Sequence, residues 1–445
     1  METGLHWELF RRVVETRMSD IALVELSSNV SFSFKALYSA AIARANLWIE
    51  LGVQRKDKML FRIPNSGEWL VTYLALQKLR AVAVPVDVDT PDPALESLAE
   101  NVQAHWIWDG FQLRKTGAGI PYETDDVCLI KVTSGSSGIP QVMPFLDVEM
   151  LADGQQICRT MGIIPSDINY ALIPIGHSYG LGNLLMPLLI QGTSLVCASA
   201  VLPHVIAGDI LRSRATVFPS VPVVFKALIQ AAVEPASLSS LRLLISAGAP
   251  LKQELYLAFA ETYNRPIHNF YGSSETGGIA YDVDGSATAE GQGVGTLMDG
   301  VIAFVDSDRH LVVRSKAVFS VGNITPNEWT LGDLASLSAN GMVSLLGRSS
   351  DVVKLDGRRI SLSEVACAME QIEGVAEVWV TLLQHKRDFL GAVAATALSP
   401  QEISRALQSL LPKWKIPRRI CCVPALPKTE RGKNQKEKLL QILER

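Results

Sequence analysis

Apolar side chains recur at helical spacing through residues 34–52 (FKALYSAAIARANLWIELG) and 68–80 (EWLVTYLALQKLR), which predicts two helices. The period then changes. AVAVPVDVD (81–89) reads as a short buried strand ended by proline signals. Further along, SLVCAS (194–199), ATVFPS (215–220) and LRLLISAG (241–248) read as strands, with helical patterns in AGDILRSR (207–214), VPVVFKALIQAA (221–232) and KQELYLAFAETYN (252–264) between and after them. Such alternation implies parallel sheets covered on both faces.

Past Gly291 the strands become short and punctuated by glycine, as in VIAFVDSD, HLVVRS and GMVSLLGR. From about Asp351 a smaller unit reads strand VVKL, helix SEVACAMEQI, strands EVWVTLLQ and GAVAATAL, helix PQEISRALQSLL and strand RICCVP. Ser399-Pro400-Gln401-Glu402 predicts a capping box with proline at the first helical position. The expected fold class is α/β. A large N-terminal domain (1–349) of stacked, mostly parallel sheets with helices would carry a small β-rich subdomain, followed by a small mobile α+β lid (350–445).

Composition narrows the function classes. The 445 residues are too many for one ordinary domain, and 48% hydrophobic against 19% charged residues allows a large core. A formal charge of -4 without long Lys/Arg blocks gives no general attraction to nucleic acid. Six cysteines without C-x-x-C spacing argue against a zinc site or a disulfide framework, and a cytoplasmic chain is expected. The N-terminus is charged and amphipathic, unlike a signal peptide. No charged side chain occurs from Tyr170 to Gly208, yet prolines and polar residues interrupt the run, so a buried helix and strand are expected there and no stable membrane insertion.

KVTSGSSGIPQVMPF (131–145) packs hydroxyls and glycines directly after an apolar stretch. It is not the common G-x-x-x-x-G-K-[ST] loop, because no lysine follows Gly138 and the prolines hold the exit extended. Its backbone N–H groups and hydroxyls could cradle phosphate, or it could be a surface connector.

TSGSSGIP resembles the phosphate loop of the adenylate-forming enzymes: acyl- and aryl-CoA synthetases, nonribosomal adenylation domains and firefly luciferase. NFYGSSETGG (269–278), WTLGDL (329–334), GRSSDVVKLDGRRISLSEV (347–365) and PKTERGKNQKEKL (427–439) resemble further motifs of that family, in its order. The resemblance implies a carboxylate attacking the α-phosphate of ATP, then displacement of AMP by a thiol. It assigns Thr133, Ser134, Gly135, Ser136, Ser137 and Gly138 to the phosphates, and Glu275 to magnesium. Tyr271, Gly272 and Ser274 would border adenine and substrate, Asp333 would hold the ribose, and Arg348 would sit near ribose and phosphate. Lys433 would reach the substrate carboxylate from the lid, and Ser350 would be the hinge.

Three departures stand out. Gln141 and Val142 follow Pro140 where the family has Lys-Gly, Ser350 replaces the first aspartate of the hinge, and Leu331 replaces a threonine. The chain is also short for the family, and no carrier domain is expected, so a carrier protein would be a separate chain.

The acid pocket is expected from His177, Ser178, Gly180, Ser246, Ala247, Gly248, Gly272 and Gly278. HSYGLGN resembles the corresponding stretch of benzoate and hydroxybenzoate ligases, which implies an aromatic acid; Gly180 and Gly182 would admit a flat ring while Ser178 and Tyr179 offered donors. His177 would stack on substrate or be a hydrogen-bonded core histidine. The expected cofactors are ATP and Mg2+, with coenzyme A or phosphopantetheine as acceptor, reached by the loop around Gly357. A short or medium aliphatic acid, a luciferase-like oxygenase and a catalytically weak nucleotide-binding relative are the alternatives. Oligomeric state is not readable from the chain.

Overall fold

The computed structural model describes residues 3–117, 119–121, 126–133, 141–323, 325–355, 358–383, 388–428 and 434–444. The chain divides into two compact units: one of residues 1–304, 312–329 and 338–343, the other of 305–311, 330–337 and 344–445.

The first unit holds two large sheets. One has six strands, in the order Leu113–Lys115, Trp106–Trp108, Lys58–Phe61, Val82–Pro85, Val127–Thr133 and Gln141–Leu146. Its middle is parallel and its two edge pairs are antiparallel. The other has nine, running from Thr296–Leu297 through Gly277–Tyr281, His268–Ser273, Leu243–Ser246, Val217–Ser220, Ile168–Ala171, Ser194–Cys197 and Ile21–Glu25 to Val30–Ser33.

Helices cover every face, as the strand–helix alternation predicts. Helices Leu5–Arg17, Phe34–Glu50, Gly67–Leu79, Asp147–Met161 and Met186–Gln191 share one core with residues of both sheets, including Phe61, Leu129 and Phe145 from one and Leu23, Ala171 and Leu195 from the other. Because Gly67–Leu79 lies inside that core, it is buried almost all round from Trp69 to Gln77. Helix Asp92–Asn101 covers the outer face of the six-stranded sheet, and Pro203–Ser213, Pro222–Gln230 and Gln253–Tyr263 cover that of the nine-stranded one.

The uncharged stretch after Tyr170 folds into buried helix and strand, and among the described residues no helix is long and apolar enough to cross a membrane. Its helix contains a surprise. Between Ser178–Gly180 and Met186–Gln191, residues Leu181–Leu185 form a π-helical turn. Pro187 has no N–H to bond the carbonyl four residues back, at Asn183. That carbonyl instead accepts a 3.0 Å bond from Asn169 Nδ2 on the neighbouring strand.

The glycine-punctuated strands form a four-stranded sheet in the order Ile302–Val305, His310–Arg314, Glu328–Leu337 and Val343–Arg348. In the second unit, Val375–Leu383, Phe389–Thr396 and Arg419–Val423 make a three-stranded sheet. Strand alternation sends Leu390, Ala392 and Ala394 to a core with helices Leu362–Glu370 and Pro400–Leu410, and Val393 and Ala395 to one with helix Lys436–Glu444. The capping box at Ser399 is present, with Ser399 Oγ accepting from Glu402 N (3.3 Å) and Glu402 accepting from Ser399 N (2.8 Å).

Candidate functional site

Strands His268–Ser273 and Gly277–Tyr281 are joined by a tight turn, and Glu275 lies at its tip. The turn is bonded within itself, since Thr276 N donates to Ser273 Oγ (3.2 Å) and the two hydroxyls lie 3.1 Å apart. Outside bonds fix it further. The Glu275 carbonyl accepts from Phe319 N (3.2 Å), and Ser178 Oγ donates to Ser274 Oγ (3.0 Å). The Glu275 side chain is half-buried, and among the described residues its carboxylate makes no hydrogen bond or ion pair.

Two buried charged residues, neither of them suggested by the motifs, flank this turn. Lys131 lies on strand Val127–Thr133, two residues before the hydroxyl-rich loop. Its Nζ sits 3.8 Å from the centre of the Phe145 ring and makes a long 3.4 Å bond to the Ser274 carbonyl. Burial lowers the Lys131 pKa, opposed by the carboxylates of Asp153 and Glu275. Asp153, on helix Asp147–Met161, accepts a 2.9 Å bond from Gly278 N, and its pKa is raised by burial. The visible signals were a lysine inside the apolar run VCLIKVT and an acid on a helix face that had to be buried.

The expected acid-pocket residues come together in the same unit, but several donors and glycines are already committed to protein partners. Tyr179 OH donates to the Ile245 carbonyl (3.0 Å), with its ring tilted against Phe270. Ser178 is bonded to Ser274, so neither hydroxyl stands as an idle donor for a ring substituent. His177 is a half-exposed residue whose Nε2 lies 2.6 Å from Asp87, so it is hydrogen-bonded but outside the core. The partner Asp87 comes from the tail of the strand-like run AVAVPVDVD.

The glycines also have packing reasons, apart from any clearance for a flat ring. A Cβ on Gly180 would lie 2.0 Å from the Pro174 carbonyl oxygen, and one on Gly182 would lie 2.6 Å from Ile157 and 2.9 Å from Asp153 Oδ2. Gly180→Ala is therefore expected to destabilise the fold by about 1–3 kcal/mol, the usual range for overpacking, in spite of alanine's better helix propensity. A thermal melt checks this. Parent-like melting combined with altered acid selectivity would show that Gly180 serves the pocket and not the packing.

At the carboxyl ends of the parallel strands, Ser246 pairs in register with Ser220 and Asn269, and among the described residues the buried hydroxyls of Ser220 and Ser246 have no hydrogen-bond partner. Ala247 N bonds the Ser220 carbonyl (3.1 Å), and Gly248 turns the chain at φ +80°. Gly272 faces Gly277, where a Cβ would lie 2.6 Å from the Gly277 carbonyl oxygen. A Cβ on Gly278 would meet Met298 Sδ at 2.7 Å, and Tyr271 is half-buried on the same strand as Gly272.

In the second unit, Arg348 Nε donates to Asp333 Oδ1 at 3.0 Å; the arginine side chain is 70% exposed and the aspartate only 15%. The pair leaves Arg348 with most of its donors toward solvent. Leu331, which replaces the hydroxyl residue, is buried. Ser350 lies in the 3₁₀ turn Ser349–Asp351, and Ser363 Oγ donates to Asp351 (3.3 Å). Ser134, Gly135, Ser136, Ser137, Gly138, Gly357 and Lys433 lie outside the described residues, as does the Thr133 side chain.

The donor set fits magnesium arriving with a nucleotide, which takes one or two carboxylates and completes its shell with phosphate and water. Glu275 offers one carboxylate, and among the described residues no group of three His, Cys, Asp or Glu side chains could hold a metal by itself. The parallel sheets thus carry a carboxylate-bearing turn packed against the strand that enters a hydroxyl-rich loop. The chain belongs to the AMP-binding enzyme family, which it matches over residues 10–116 and 108–318, with the family's C-terminal domain over 364–433. It is 24% identical to the medium-chain fatty-acid–CoA ligase of Escherichia coli (97% of this chain, 88% of the relative) and 24% identical to the 3-hydroxybenzoate–CoA ligase of Aromatoleum (88% of each). Its fold matches ATP-bound MatB from Rhodopseudomonas palustris with a TM-score of 0.84 at 20% identity, over 98% of both chains.

Proposed function

We propose that this chain is an ATP-dependent carboxylic acid ligase that forms an acyl- or aryl-adenylate and passes the acyl group to a pantetheine thiol, on coenzyme A or on a separate carrier protein. The observation that carries the proposal is the Glu275 turn: a half-buried carboxylate, unpaired among the described residues, fixed against the strand that leads into the hydroxyl-rich loop, through Lys131 and Ser274. A carboxylate oxygen of the acid attacks the α-phosphorus, forming an acyl–phosphate bond as the bond to pyrophosphate breaks. The thiolate then attacks the acyl carbon and AMP leaves. Glu275 would hold Mg2+, which supplies charge neutralisation at the phosphates when bound. Thr133 to Gly138 donate to the β- and γ-phosphates, Tyr271, Gly272 and Ser274 border the nucleotide, Asp333 accepts the ribose hydroxyls with Arg348 alongside, and Lys433 stabilises charge at the reacting carboxylate. Ser350 acts as the pivot between a domain of residues 1–349 and a lid of 350–445, bringing the loop around Gly357 to the thiol in the second half-reaction.

An aromatic acid is the favoured substrate, supported by the hydroxybenzoate ligase among the relatives. The medium-chain ligase, which matches over more of the chain, favours an aliphatic acid as the second reading. His177, Ser178, Gly180, Ser246, Ala247, Gly248, Gly272 and Gly278 form or support the pocket wall. Pyrophosphate exchange with benzoate, 4-hydroxybenzoate, butyrate and octanoate tests the proposal, followed by thioester formation with coenzyme A and with a phosphopantetheinyl carrier. An aromatic acid is expected to lead in kcat/KM. A lead of roughly tenfold or more for an aliphatic acid, beyond the low end of discrimination per methylene, selects the second reading, and no exchange with any acid removes the ligase assignment.

A further inference from the structure

We infer that Lys131 and Asp153 are positioning residues that grip the Glu275 turn from beneath and set where its carboxylate points. The inference rests on the ligase reading for its purpose, but its geometry stands apart from that reading. The turn is held at both ends by side chains from elsewhere in the chain. Lys131 Nζ, from the strand entering the loop, donates to the Ser274 carbonyl at the start; Asp153 Oδ1, from the next helix, accepts from Gly278 N at the finish, at 2.9 Å. Both side chains lie in the interior, with Lys131 5% and Asp153 3% exposed.

The glycines around Asp153 have a common cause in its carboxylate. Gly277 adopts φ +70°, and a Cβ there would lie 2.3 Å from Asp153 Oδ1. A Cβ on Gly182, from the π-helical turn on the other side, would lie 2.9 Å from Asp153 Oδ2. The carboxylate therefore sits between two backbones that approach it closely because neither carries a side chain. Burying an acid in so confined a place is costly unless it is bonded, and the bond it makes is to the turn that carries Glu275. Lys131 occupies the equivalent position on the opposite end, with its Nζ over the Phe145 ring. Glu275 itself makes no hydrogen bond or ion pair among the described residues, so its aim is set by the backbone that these two residues hold.

The test combines amide hydrogen exchange on the full chain with steady-state pyrophosphate exchange. In Lys131→Met and Asp153→Ala, amides of residues 273–278 are expected to exchange at least about tenfold faster while the strand Leu243–Ser246 keeps its protection, the signature of local opening. The kcat should fall by about 10²-fold, the scale of a misplaced catalytic group, with KM for the acid within a few-fold of the parent. Asp153→Asn keeps an acceptor for Gly278 N and should stay within about threefold of the parent in both readouts, a change too small to signal loss of the bond. Unchanged exchange at 273–278, or a rise spread evenly across the sheet, overturns the inference. If Lys131→Met does not fold, the contrast between Asp153→Ala and Asp153→Asn decides the matter in the same way. A parent chain inactive with every acid would sink the ligase reading, while the amide exchange would still decide the grip on the turn.

Discussion

Lys433→Ala is expected to melt like the parent and to lose pyrophosphate exchange by about 10²- to 10³-fold, the cost of removing one donor that stabilises charge in a transition state. The sequence around it, TERGKNQKEK, has no apolar neighbour for the lysine stem to pack against, so the fold has little to lose. The chemistry has much to lose. A carboxylate and a polyphosphate are both anionic, and bringing them together needs a cation at the reacting oxygen. Gln141 and Val142 stand where relatives of this family carry a loop lysine, which leaves fewer cations to share the task and enlarges the expected effect. Thioester formation from added acyl-adenylate should be far less affected, because the phosphorus has already reacted. Undiminished pyrophosphate exchange would remove Lys433 from the site.

Periodicity made most of the fold readable, because burial on a helix or strand face depends on the residue types along a single element. LRLLISAG contains the strand Leu243–Ser246, KQELYLAFAETYN contains the helix Gln253–Tyr263, and the start of Pro400–Leu410 was set by side chains three residues apart. The parts that were not legible depend on contacts between elements. Lys131 in VCLIKVT looks like a lone exposed charge on a strand until Phe145 and the Ser274 carbonyl meet it. Asp153 is one acid among several in DVEMLADGQQ, and only the fold shows that it lies between Gly182 and Gly277. Pro187 marks a helix irregularity in sequence, but the π turn needs Asn169 to receive the freed carbonyl.

The same distinction applies to the acid pocket. HSYGLGN supports an aryl ligase by likeness, while the local physical reasons attached to it have structural explanations: Gly180 clears the Pro174 carbonyl, and Ser178 and Tyr179 are bonded to Ser274 and Ile245. The hydroxyls of Ser178 and Tyr179 are thus engaged within the fold.

Glu275→Gln should separate the electrostatic role of this turn from its structural one. The substitution keeps the size of the side chain and leaves the backbone bond from Phe319 N to the Glu275 carbonyl in place. Since the carboxylate has no hydrogen bond or ion pair among the described residues, stability should stay within about 0.5 kcal/mol, as for an ordinary surface change. Catalysis should fall by about 10²- to 10³-fold if the charge is what would hold the cation. Two titrations then divide the outcomes. Raising Mg2+ should recover part of the lost rate, because a weaker site fills at higher concentration, and Mn2+ binding in the presence of a non-hydrolysable ATP analogue should weaken in parallel. A variant with parent-like rate and parent-like Mn2+ binding would show that the carboxylate at the tip of this turn does not hold the metal.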